Sequence, residues 1–331
     1  MMFFLTLMMG TLIAVSSYSW LTMWIGLEIN LLSFIPLMKE NKNLFASEAA
    51  LKYFITQAMA SSILLFSIIS SFNMNEQIYS NMSFYITLIL NSSLLTKMGA
   101  APFHFWFPEV MEGLNWMNSM IMLTWQKIAP FILIMFNMNM TMMISCVIIS
   151  SSVIGGLMGL NQTSLRKILA FSSINHIGWM LSSLLNSQSI WLTYFVIYSV
   201  ISINLIVIFE KMNTYKINSL TSTLNKNKLI KFFFILNFLS LGGLPPFLGF
   251  MPKWLTINNL IISNFIIVSL ILIISTLITL FMYLRLTFST LTINQSESLI
   301  NTKLNQSWPI IYFNFITLSG LLSCTMIFNT H

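Results

Sequence analysis

Apolar runs of about twenty residues follow one another from residue 3 to residue 328, and this feature constrains the fold more than any other. A helix rises about 1.5 Å per residue, so a run of that length crosses the roughly 30 Å hydrocarbon core of a bilayer. Because a helix bonds its own backbone internally, no peptide group is left unsatisfied in lipid. Eleven runs are read this way: 3–20, 22–38, 48–72, 82–113, 117–137, 139–160, 166–185, 190–209, 229–262, 265–284 and 308–328. Only 7% of the 331 residues are charged and 56% are apolar, against roughly 25% charged in a soluble domain. The fold class is therefore an all-α polytopic membrane protein with about 11 transmembrane helices, a single membrane domain over 1–331.

Two runs are too long for one straight helix. The stretch 82–113 would reach about 48 Å and 229–262 about 51 Å. Each contains its own breakers: KMGAAPFHFWFP in the first and LSLGGLPPFLGFMPKW in the second. Proline removes a backbone donor and clashes with the preceding turn, so two broken helices are expected. Pro102 and Pro108 recur 144 positions later as Pro246 and Pro252. The chain is accordingly read as two repeats, 1–137 and 139–284, with 285–331 a C-terminal loop and last helix. The broken segments are the fourth and ninth spans, and an odd separation inverts topology. Interrupted helices at corresponding places point to an ion path. A plainer reading, in which prolines only kink the helices, does not require the repeat.

Charge supports the span assignment. With loops alternating between two faces, twelve of the 15 Lys and Arg residues, from Lys39 to Lys303, fall on the face that holds the N-terminus, and none on the other. The positive-inside rule makes that face cytoplasmic or, in a mitochondrion, matrix. No cation precedes Lys39, so no secretory or transit leader is read, and insertion through the first helices or synthesis inside the compartment is expected. The net charge of +7 reports orientation, and no nucleic-acid partner is expected.

Three cations remain: Lys97 before the first break, Lys127 in the middle of the fifth span, and Lys253 directly after Pro252. A charge at mid-bilayer costs ~2.5–3.5 kcal/mol or more on the insertion scale. Burial disfavours an ammonium and a nearby carboxylate favours it, so such lysines suit a proton relay. Glu28, in WIGLEINLLSF, is the matching acid and is expected to face the bundle interior; a static ion pair that fixes packing is the competing reading. His176, in FSSINHIGWM, is a candidate extension of the relay or a buried neutral histidine, and His104 reads either way. Glu109 and Glu112 are read as a solvated helix end, Lys52 as a loop cation, and Lys211 to Lys231 as a basic loop. Cofactor sites are not expected: Cys146 and Cys324 cannot supply the four thiolates of an iron–sulfur cluster, the three histidines lack a metal-binding spacing, and no phosphate-cradling glycine motif occurs.

The strings WIGLEINLLSFIPL, EAALKYFITQAMASS, KMGAAPFHFWFPEVMEGLNWMNSMIMLTWQKIAP, GGLMGLNQTSLRKILAFSSINHIGWML and NFLSLGGLPPFLGFMPKWL resemble the subunit 2 family of mitochondrial NADH–ubiquinone oxidoreductase, respiratory complex I, in its shortened, insect-like animal form. The likeness covers nearly the whole chain and is most pronounced over residues 20–260. It implies an antiporter-like, proton-translocating module of the membrane arm, built from two inverted five-helix repeats, in the mitochondrial inner membrane with the N-terminus in the matrix. Bacterial relatives carry fourteen helices and the animal form lacks the first three. The relay positions implied are Glu28, Lys97, Lys127 and Lys253. Flavin, iron–sulfur clusters and quinone would belong to other subunits, and the partners implied are other membrane-arm subunits and membrane lipids. Two rival functions are a stand-alone cation/proton antiporter and a non-pumping spacer of the arm.

Overall fold

The computed structural model describes residues 2–39, 43–74, 80–138, 140–225 and 228–292, together with 314, 315 and 320. Lys42, Lys226, Lys303, Cys324 and His331 lie outside the described residues, as does nearly all of the run 308–328. The described residues are all-helical apart from one isolated bridge between Ser164 and Lys216. The chain divides into two compact units, Met1–Ser150 and Ser151–His331, with the boundary inside a helix.

The first unit contains α1 (Met2–Ser16), α2 (Trp20–Met38), α3 (Leu44–Met74), α4 (Ser80–Met98), α5 (Trp106–Gly113), α6 (Trp116–Leu123), α7 (Trp125–Met135) and the start of α8 (Thr141–Gly159). The run 117–137 is therefore two helices rather than one. They meet at Thr124, whose hydroxyl bonds back to the Met120 carbonyl at 2.7 Å, a contact that bends helices. The second unit holds the rest of α8, α9 (Leu165–Leu184), α10 (Gln188–Met212), α11 (Ile217–Leu224), α12 (Lys228–Gly242), α13 (Phe250–Ile262) and α14 (Ile266–Thr292). The basic stretch 211–231 is thus not simply a loop: it ends α10, forms α11 and starts α12.

Five of these helices are long and apolar enough to cross a membrane: Trp20–Met38, Leu44–Phe72, Thr141–Gly159, Gln188–Met212 and Ile266–Thr292. The 144-residue spacing recurs in the elements, since α3 and α10 start at 44 and 188, and α5 and α13 at 106 and 250. The peptide bonds entering Pro102 and Pro246 are both cis.

Helices in lipid gain little from hydrophobic burial against one another, so close packing and buried polar contacts hold them together. At α1–α2, Gly26 lies against Ala14, and a Cβ there would sit 2.6 Å from the Ala14 nitrogen. Amides join other helices: Asn137 Nδ2 donates to Asn91 Oδ1 at 3.2 Å, and Asn118 Nδ2 to the Leu37 carbonyl at 2.8 Å. Buried hydroxyls such as Ser67, Ser93 and Ser173 bond back to the carbonyl three residues earlier, which lets serine-rich helices sit in an apolar setting. On α14 the outward face is apolar, with Ile267, Leu270, Ile274, Leu277 and Phe281 exposed. In contrast, α9 is buried almost all round and forms the centre of the second unit.

Candidate functional site

Each unit contains a helix that stops abruptly in the same way. At the end of α4, Gly99 adopts φ 75° and its N–H bonds to the Thr96 carbonyl, while the Ala100 N–H bonds to Leu95. At the end of α12, Gly243 adopts φ 78°, its N–H bonds to Ser240, and the Leu244 N–H bonds to Leu239. This is the Schellman termination, which needs a left-handed residue that glycine supplies without strain. The chain resumes helix as α5 and α13 after seven intervening residues in each case, 99–105 and 243–249.

In the first unit the end of α4 borders a small cavity. It is lined by Asn30, Tyr53, Gln57, Lys97, Gln126 and Lys127 among apolar neighbours that include Leu27, Leu31, Phe107 and Pro130. It has room for about one water molecule. Lys97, in the last turn of α4, is 8% exposed, and Lys127, in the first turn of α7, is 1% exposed. Lys127 Nζ lies 5.6 Å from the centre of the Phe107 ring, within the range of a cation–π contact. Gln57 Nε2 donates to the Lys97 carbonyl at 3.4 Å, and Gln126 Nε2 to Asn30 Oδ1 at 3.0 Å. Glu28, on α2, is half-buried, and its carboxylate is an electrostatic neighbour of both Lys97 and Tyr53. Two buried lysine side chains thus share one pocket, and the Glu28 carboxylate is an electrostatic neighbour of one of them.

In the second unit, Lys253 is 7% exposed and donates to the Leu241 and Gly242 carbonyls at 3.1 and 2.8 Å. Its Nζ lies 6.0 Å from the Trp179 ring. One turn from Trp179 on α9, His176 is buried; its Nδ1 is 2.9 Å from the Tyr194 hydroxyl, and its ring centre is 5.0 Å from that of Tyr198. His104 is 3% exposed and stacks on Phe105 at 4.4 Å. Among the described residues, no group of three or more His, Cys, Asp or Glu side chains is placed to hold a metal.

The structure therefore brings Lys97 and Lys127 together with Glu28 nearby, and gives Lys253 and His176 their own surroundings in the second unit. Lys52 is corrected: it lies in α3, with Nζ 2.9 Å from both Glu48 and Glu109. All three side chains are at least two-fifths exposed, and exposed ion pairs contribute little to stability. Lys52→Met is accordingly expected to leave the melting temperature of the assembled protein unchanged at moderate salt, as thermal unfolding in detergent would record.

The residues not singled out from the sequence are Asn30, Tyr53, Gln57 and Gln126. A usable signal was present. Unlike Ser and Thr, a mid-run amide has no short bond back to its own helix, so it marks a partner on another helix or a wet pocket.

The family model described as "NADH:quinone oxidoreductase/Mrp antiporter, TM" matches residues 17–279. NADH-ubiquinone oxidoreductase chain 2 of Aedes aegypti is 53% identical over 331 residues, covering 98% of this chain and 97% of the relative. The chain belongs to the NADH-ubiquinone oxidoreductase chain 2 family. The Anopheles gambiae member of that family is 50% identical over 334 residues, with the same coverage of both chains. A chain of respiratory complex I from Thermus thermophilus, solved with bound Aureothin, superposes with a TM-score of 0.86 at 23% identity, covering 97% of this chain and 77% of that one. The family and this superposition give the all-helical fold as the antiporter-like fold of complex I, in a multi-pass membrane protein.

Proposed function

We propose that this chain is a proton-translocating subunit of the membrane arm of complex I, in which Glu28, Lys97, Lys127 and Lys253 form the relay and His176 is a further station. The observation that carries this reading is the cavity shared by Lys97 and Lys127 beside the Glu28 charge. Two lysines placed around a water-sized pocket suit transfer between them. Moving one charge against the membrane potential costs roughly 2.3 kcal/mol per 100 mV, and that energy has to be supplied. It comes from NADH-to-ubiquinone electron transfer in other subunits, which hold the flavin, iron–sulfur clusters and quinone. A change of charge at one end of the arm perturbs the Glu28–Lys97 interaction, shifts the balance of protonation at the lysines, and passes a proton along side chains and buried water.

In this reading α4 with α5 and α12 with α13 are each one interrupted span of an eleven-span chain with inverted repeats. The protein sits in the mitochondrial inner membrane with its N-terminus in the matrix, among other membrane-arm subunits and lipids and without nucleic acid. The test is Glu28→Gln in the assembled complex. A relay requires assembly to persist while the proton-to-electron ratio in proteoliposomes falls. An unchanged ratio would mean that Glu28 only fixes packing, as in a spacer.

A further inference from the structure

The Schellman terminations of α4 and α12 leave work undone. Each satisfies the carbonyls three and two positions before the last helical residue, Leu95 and Thr96 in α4, Leu239 and Ser240 in α12. The last two carbonyls of a helix still need donors, and a buried carbonyl left without one is destabilising. The two units meet this need differently. In α4, the Lys97 carbonyl accepts from the neutral amide of Gln57 at 3.4 Å. In α12, the corresponding Leu241 carbonyl and its neighbour Gly242 both accept from Lys253 Nζ, at 3.1 and 2.8 Å. The negative end of the α12 dipole favours a cation at this point.

We propose that Gly243 is a positioning residue for proton transfer, because its missing side chain lets Lys253 dock its nitrogen on the two leftover carbonyls of α12. The space is specific. A Cβ on Gly243 would lie 2.7 Å from Lys253 Cδ, 3.0 Å from Nζ and 3.1 Å from Cε. These atoms belong to the flexible end of a side chain, so a methyl group there displaces the lysine more readily than it disrupts the helices.

The docking has a chemical consequence. An ammonium has three N–H donors and a neutral amine two. With two donors committed to Leu241 and Gly242, one N–H remains on the charged form. It can pass its proton to a water molecule, leaving a lone pair on nitrogen; the reverse step restores the ammonium and consumes the proton. Both carbonyls stay satisfied in either state, so the nitrogen need not leave its place to exchange. Gln57, a neutral amide at the matching place in the first unit, has no proton to exchange at neutral pH.

This inference rests on Lys253 belonging to the relay, and the experiment separates the two ideas. Gly243→Ala, Lys253→Ala and the double variant are made in the intact complex. Assembled enzyme is quantified on native gels, and proton-to-electron ratio and coupled turnover are measured per assembled complex. Gly243→Ala is expected to lower the ratio and slow coupled turnover on the order of tenfold, the scale of a lost charged hydrogen bond. Adding it to Lys253→Ala is expected to change neither quantity, because residues acting as one unit are not additive. A normal ratio in Gly243→Ala alongside a lowered one in Lys253→Ala overturns the role of Gly243 and leaves the relay standing. A further drop in the double variant also overturns it, since the glycine would then act through the backbone. A normal ratio in Lys253→Ala removes Lys253 from the relay and the inference with it. If Gly243→Ala does not assemble, Gly243→Asn, a residue that tolerates positive φ, displaces the lysine with less backbone strain and gives the same readings.

Discussion

Lys127→Met is expected to abolish proton transfer through this subunit while leaving it folded and assembled. Methionine has nearly the length and volume of the lysine stem, so the space around Phe107, Gln126 and Pro130 stays filled. Lys127 is 1% exposed, and a charge held there carries an insertion penalty of ~2.5–3.5 kcal/mol or more. Exchanging an ionisable group for an apolar one of similar shape removes that insertion penalty. Amounts of assembled complex on native gels should therefore match the parent protein or exceed it. Removing a group that accepts and donates protons slows a transfer step by about 10²–10⁴-fold, so the subunit's contribution to the proton-to-electron ratio disappears. Proteoliposomes with a pH-sensitive dye and measured NADH oxidation give both quantities. A full ratio in Lys127→Met would make the subunit a spacer.

The largest structural effect is expected from Gly26→Val. The missing side chain of Gly26 is what lets α1 and α2 touch, since an added Cβ would lie 2.6 Å from the nitrogen, 2.8 Å from Cα and 2.9 Å from Cβ of Ala14. Two of those atoms are backbone, which cannot rotate away, and a β-branched residue adds two methyl groups beyond the Cβ. Overpacking of this kind costs about 3 kcal/mol, a large share of the stability of any one contact surface. Helix α2 also carries Leu27, Asn30 and Leu31 into the cavity, together with Glu28, the electrostatic neighbour of Lys97. Separating α1 from α2 therefore disturbs the site as well as the fold. Loss of assembled complex on native gels, with a lower melting temperature for what remains, is the expected result.

The charged residues of the site were legible because charge inside an apolar run stands out against its neighbours. Lys97, Lys127 and Lys253 were singled out on that ground, and each is less than a tenth exposed. The two helix stops were equally legible, since a glycine followed within three residues by proline, Gly99 with Pro102 and Gly243 with Pro246, offers the chain few alternatives. The neutral part of the site was only partly so. Asn30, Gln57 and Gln126 resemble many other polar residues in the same runs, and only tertiary contact distinguishes an amide that lines a cavity from one that joins two helices, such as Asn91. Glu28 was expected to face the bundle interior; it is half-buried, with the buried Lys97 and Tyr53 as electrostatic neighbours, and periodicity alone does not give the rotation of a helix whose other faces are also apolar. The stop at Thr124 and the short helix α11 escaped notice for related reasons. A hydroxyl bonding back to its own helix leaves no mark in composition, and an eight-residue helix between basic residues reads as a loop. Gly243 could be read as a turn glycine, but its contact with a lysine ten positions later depends on α13 folding back against the end of α12.

In the proposed relay, Lys97 and Lys127 exchange protons through the pocket they share. A map of the assembled complex at a resolution that shows ordered water tests it most directly. Water held between the two lysine nitrogens and in contact with Gln57 or Gln126 is the predicted result. A dry pocket closed by Leu31, Met122 and Phe107, with the two nitrogens separated by apolar side chains, would contradict it.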